Sequence, residues 1–134
     1  MMGTRAHIAV EHANNTVTWA YVHYDGFVAN TGVLLQTLYN SYEDACRLVE
    51  YYSIEAVTDE WRTIRSPGYF KHKRDRDPRV VDSIDKIPFC EYVYLWRNNE
   101  WWIRAAFDVH GHRQRWTQLG PLVTVELLRG NNHV

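Results

Sequence analysis

Two cysteines, four prolines and seven glycines among 134 residues leave several architectures without their raw material. Cys46 and Cys90 stand apart, in no paired spacing, so no disulfide framework and no cysteine zinc cluster is available. Both read as buried free thiols of a reducing cytoplasm. No run approaches the roughly 20 apolar residues that cross a bilayer. Met1 to Arg5 lead into mature-looking sequence rather than an apolar leader, so neither a membrane partner nor secretion is expected. Repeats and low-complexity tracts are missing. So are the signatures of common catalysts: a glycine-rich phosphate loop, a His-Glu-x-x-His helix, a Gly-x-Ser-x-Gly elbow and an assignable acid-base pair of carboxylates. No catalytic residue and no cofactor is therefore expected.

What is present is apolar and aromatic. Hydrophobic residues make up 46% and charged residues 23%, which favours a folded chain over a disordered one. The length fits one domain, 1–134, able to bury roughly two-thirds of its unfolded surface. Aromatics reach 14%, with six Trp and nine Tyr, where small domains usually carry fewer. The excess could fill the core or equally leave ring edges for a partner surface. A net charge of -1 conceals segregation: residues 1–61 carry two basic and eight acidic side chains, residues 62–79 seven basic and two acidic, and the remainder six of each. Such blocks act on encounter even when the total is near zero.

Periodicity predicts the elements. Ala6, Ile8 and Val10 share one strand face. In Thr16 to Tyr24, Val17, Trp19 and Tyr21 alternate with Thr18, Ala20 and Val22, and Asn14-Asn15 supplies the turn of a hairpin. Asp25-Gly26 and Asn30-Thr31-Gly32 shape the next loop. Val33 to Tyr39 reads as a short helix. A second begins at the cap Ser41, with Asp44 three residues on and Ala45, Leu48, Val49 and Tyr52 facing inward. Ile54, Val57, Trp61 and Ile64 suggest a third helix, ended by Pro67-Gly68. Lys71 to Arg79 lacks apolar periodicity and reads as a solvated basic loop at about 66–79. After a short element within Val80 to Ile87, Tyr92 to Trp96 and Trp101 to Phe107 read as strands around Asn98-Asn99. Arg113 to Leu119 extends the meander, and Leu122 to Leu128 is open between strand and short helix, with β-branched Val123, Thr124 and Val125 favouring strand. The fold expected is α+β: a mostly antiparallel sheet of about five strands, N-terminal hairpin plus C-terminal meander, with two or three helices packed on one face.

Four constellations could carry function. His23-Tyr24-Asp25-Gly26, with Phe27, ends a strand and offers a shaped polar and aromatic surface. Trp101 and Trp102 are adjacent on a strand, so their rings point to opposite faces and cannot share a one-sided core. Lys71, Lys73, Arg74, Arg76 and Arg79 could neutralise phosphates while Tyr69 and Phe70 stack on bases, a nucleic-acid alternative interrupted by Asp75 and Asp77. His110 and His112, with His23 and Asp25, supply the ligand types of a metal-dependent hydrolase, provided the two segments meet.

The run Met2-Gly3-Thr4-Arg5, then Ile8-Ala9-Val10, His23-Tyr24-Asp25-Gly26-Phe27, Asn30 and Gly32-Val33-Leu34-Leu35 resembles a family of small phage and prophage proteins. The likeness is best over about the first 40 residues, with a looser echo in Glu91 to Ile103. Tyr24 stands where the commoner form of the motif has Trp. The resemblance implies a phage-encoded accessory protein in the bacterial host cytoplasm and supplies no catalytic residues. Together with the missing motifs it favours a non-enzymatic protein that binds and modulates a host macromolecule, foremost a protein. The oligomeric state is left open, a homodimer included.

Overall fold

The computed structural model describes residues 5–23, 28–50, 53–57, 69–73, 77–88, 90–105 and 115–131. Strands β1 (Ala6–Glu11) and β2 (Val17–His23) form the expected antiparallel hairpin, with Ile8 opposite Ala20. Its turn is held by His12 and Thr16 backbone bonds, and Asn15 takes the left-handed φ of 70° that asparagine tolerates. Asn14 Oδ1 accepts from both the amide and the hydroxyl of Thr16.

A π-helical turn over Val28–Gly32 runs into α1 (Val33–Leu38), which buries Val33, Leu34 and Leu35. Gly32 has an ordinary helical φ of -59°. Its lack of a side chain serves close approach instead: an added Cβ would lie 3.2 Å from Leu119 Cδ1 and from Val28 Cγ1. Helix α2 (Tyr42–Leu48) starts as expected, with Ser41 Oγ accepting the Asp44 amide at 3.1 Å.

The next stretch departs from expectation. Ser53–Val57 is strand β3, not a third helix, and Tyr69–Lys73 is strand β4, not a solvated loop. β3 lies parallel to the end of β2, with Val22 beside Ile54, and antiparallel to β4. Pairing along both margins overrides the helical spacing read from Ile54 and Val57, and Ser53 and Ile54 are buried on opposite faces. Trp61 and Ile64 of the expected stripe lie outside the described residues. Phe70 enters the core and packs on Tyr39, ring centroids 5.6 Å apart.

Strand β5 (Arg79–Val81) pairs antiparallel with the first half of β2, and a 3-10 turn follows at Ile84–Lys86. Strands β6 (Tyr92–Arg97) and β7 (Glu100–Ala105) form the second hairpin. Asn98 and Asn99, at φ of 53° and 61°, give the two left-handed residues of a tight turn. The two-residue β8 (Thr117–Gln118) leads into α3 (Leu119–Asn131). This helix replaces the turn expected at Gly120-Pro121 and the strand expected over Leu122 to Leu128. Pro121 falls in the first helical turn, where its missing N–H costs nothing. Leu119, Val123 and Leu127 recur at helical spacing toward the core. The Thr124 hydroxyl donates to the Gly120 carbonyl at 3.1 Å, which accommodates one β-branched residue within the helix.

The described strands form one eight-stranded sheet in the order β4-β3-β2-β1-β6-β7-β8, with β5 added beside β2. The sheet is mixed rather than purely antiparallel, since β1 runs parallel to β6 and β2 parallel to β3 while the other pairings are antiparallel, and it has more strands than the five or so expected. The helical segment after β2 returns the chain for the parallel β3, as such pairs require. All three helices cover one face, over Ile8, Val10, Ala20, Val22, Tyr94, Trp96, Trp101 and Ile103. The other face holds a smaller core of Ala9, Val17, Trp19, Val93 and Leu95, covered by Ile84 and Ile87 from the segment after β5.

Candidate functional site

The adjacent tryptophans separate as strand geometry demands. Trp101 sinks into the helix-side core, 1% exposed, and its indole N–H donates to the Tyr39 carbonyl at 3.0 Å. Trp102 joins the smaller core, half-buried, and donates to the Arg97 carbonyl at 3.0 Å. The second face is thus covered in part, and Trp101 presents no ring to solvent.

Beside that smaller core, strand register sets Tyr21, His7, Val93 and Arg104 in a row across four neighbouring strands, polar groups interrupted by the apolar Val93. His7 is buried against the Trp19 ring, centroids 4.6 Å apart, and its Nδ1–H donates to the Pro88 carbonyl at 2.9 Å. Burial lowers the His7 pKa below 6.5, against the smaller raising effect of that hydrogen bond. The buried Arg104 guanidinium sits over Trp116 at 4.6 Å, a favourable cation–π arrangement. Burial also pushes the Cys90 thiol up. Cys90 and Cys46 are both half-buried rather than buried, and neither is in a disulfide.

A separate polar chain joins the hairpin turn to α2. His12 Nε2 meets Thr18 Oγ1 at 2.7 Å and His12 Nδ1 meets Tyr42 Oη at 2.6 Å. The neighbouring Cys46 thiol is the main reason the Tyr42 pKa is raised. Its signal in the sequence is slight: Tyr42 and Cys46 stand four apart on a helix, but nothing links them to His12.

Only part of each expected site falls within the described residues. His23 ends β2, in backbone register with Glu55, while Tyr24, Asp25, Gly26 and Phe27 lie outside the described residues. His110 and His112 also lie outside them, and among the described residues no three potential metal ligands cluster. Of the basic group, Lys71 is exposed in β4 with Lys73 beyond it, and Arg79 is exposed in β5 with its guanidinium 5.9 Å from the Trp19 ring centre. Tyr69 opens β4, and Arg74 and Arg76 fall outside the described residues. Phe70 is only 9% exposed, so it is core rather than a platform for bases.

The outward surface that stands out is apolar and helical. Leu122, Val125 and Leu128 recur three apart along the outer side of α3, with Leu128 58% exposed, and α1 adds the exposed Leu38. Reading Leu122 to Leu128 as strand hid this stripe, because alternation divides those residues between two faces whereas a helix aligns them. Among the described residues no helix is long and apolar enough to cross a membrane. Comparison with protein-family models, curated proteins and solved structures returns no match.

Proposed function

We propose that this chain is a phage accessory protein, non-enzymatic, that binds a host protein in the bacterial cytoplasm and modulates it. The observation that carries the proposal is the α3 stripe of Leu122, Val125 and Leu128. Apolar side chains at i, i+3 and i+6 on an exposed helical face have nothing to gain in water, and their removal from it by a partner is favourable. Three such anchors on a rigid helix, backed by Leu119 and Val123 in the core, fit helix-to-groove or helix-to-helix docking. The N-terminal resemblance to small phage proteins supports the biological setting.

Affinity capture from host lysate, with wild type and a Val125→Asp, Leu128→Asp double variant side by side, tests it. One host protein should be retained reproducibly by wild type and lost by the variant. Equal recovery by both, or no reproducible partner, would reject this function.

A further inference from the structure

Three side chains from separate parts of the fold meet in line beside the first hairpin turn. His12 follows β1; its amide donates to the Thr16 carbonyl at 2.9 Å and its carbonyl accepts the Asn15 amide at 2.9 Å, so the turn fixes its backbone. Thr18 lies in β2, and Tyr42 is the first residue of α2, whose opening turn is set by the Ser41 cap. The His12 ring bridges the two hydroxyls, with Nδ1 2.6 Å from Tyr42 Oη and Nε2 2.7 Å from Thr18 Oγ1. A phenol is far more acidic than an aliphatic hydroxyl, so Tyr42 donates to Nδ1 while Nε2–H donates to Thr18. The His12 and Tyr42 rings stand edge to face, centroids 5.9 Å apart. His12 and Thr18 are half-buried, whereas Tyr42 is 44% exposed.

We infer that Tyr42 is a nucleophile, with His12 as its base, that accepts the acyl group of an uncharged activated ester or thioester. A hydroxyl, an imidazole and a second hydrogen-bonding group in line are the arrangement that activates a weak oxygen nucleophile. Cys46, one turn along α2, keeps the Tyr42 pKa above its ordinary 10, so at neutral pH the phenol attacks only as its proton departs. His12 Nδ1 lies where that proton goes. In the step, Oη bonds the carbonyl carbon and its proton passes to Nδ1. The bond to the leaving alcohol or thiol then breaks, and that group takes the proton from His12. The products are an acyl-tyrosine and the free alcohol or thiol, with the imidazole neutral again. Thr18 is a positioning residue: it holds Nε2–H, so that Nδ1 keeps its lone pair toward Tyr42. Nearby charge selects the donor. Glu43 and Asp44 follow Tyr42, and the cations Arg47 and Arg97 are held by Asp44 at 3.3 Å and Glu11 at 3.1 Å. A phosphoryl donor would bring further negative charge against these carboxylates, which an uncharged ester does not. This chemistry goes beyond docking through α3, and neither depends on the other.

p-Nitrophenyl acetate is the probe, with acetylation of each tyrosine followed by mass spectrometry of proteolytic peptides. Tyr42 should be acetylated about tenfold faster than any other of the nine tyrosines, a preference that vanishes in denaturant. His12→Gln should slow it about a hundredfold, the usual worth of a positioned base. Thr18→Val should slow it about tenfold, and Thr18→Ser, which keeps a hydroxyl, should restore the wild-type rate. The Thr18 pair keeps the test decisive should His12→Gln fail to fold. The Val125→Asp, Leu128→Asp variant should react as wild type does. Acetylation of Tyr42 at the rate of the other tyrosines, or an unchanged rate in folded His12→Gln, would reduce the cluster to a tie between α2 and the hairpin and overturn the inference. So would transfer to Cys46 in place of Tyr42. Phosphotyrosine formed from p-nitrophenyl phosphate would overturn the choice of an uncharged donor.

Discussion

At the residue scale, burial decides what single side chains do. His7 carries a pKa below its unfolded 6.5, so the unfolded chain binds the extra proton more readily. Its contribution to stability is complete above 6.5 and is lost as pH falls from there through the lower folded pKa. Unfolding measured from pH 7 to 5 should show that loss, and His7→Gln should flatten part of it; an unchanged slope would separate His7 from the effect. The two tryptophans differ in the same currency. Trp101→Ala should cost about 3–5 kcal/mol, since it empties a fully buried site and frees the Tyr39 carbonyl. Trp102→Ala, half-buried, should cost less in the same denaturant titration. That these rings face opposite ways was legible from alternation alone. That Trp101 is enclosed was not, because enclosure depends on helices whose docking no local pattern encodes.

At the element scale, local chemistry was legible where it acts within a few residues. The Ser41 cap, the Asn15 turn and the Asn98-Asn99 turn all form at their expected positions. Ser41→Ala should lower stability by about 1 kcal/mol, read as a shift in the denaturation midpoint, because the Asp44 amide loses its acceptor. Long-range pairing was not legible. Ile54 and Val57 satisfy a helical spacing and a strand alike, and only β2 and β4 on either side choose between them. For α3 the misleading signal was Val123, Thr124 and Val125, whose β-branching outweighed the spacing of Leu119, Val123 and Leu127. A change of Val125 and Leu128 to Asp should leave thermal stability near wild type, since both side chains are already in water. A large loss of stability would mean that the stripe serves folding rather than docking.

At the scale of the whole molecule, the order of the sheet was the least legible feature, since it follows from the parallel course of β3 beside β2 and of β6 beside β1, pairings between segments far apart in sequence. Host-protein capture through α3, driven by apolar burial, should change little as salt rises. Capture repeated at low and at physiological ionic strength checks it.

The middle position of the first strand also bears on how the protein comes off the ribosome. β1 lies between β2 and β6, and its pairing with β6 joins Ala6 to Tyr92. The hairpin with β2 can close early, from contacts near in sequence. The centre of the sheet must nevertheless stay open on one side until Arg97 has been translated and has cleared the exit tunnel. The apolar Ile8 and Val10 wait through most of synthesis for their second neighbour, a period in which a nascent chain depends on chaperones.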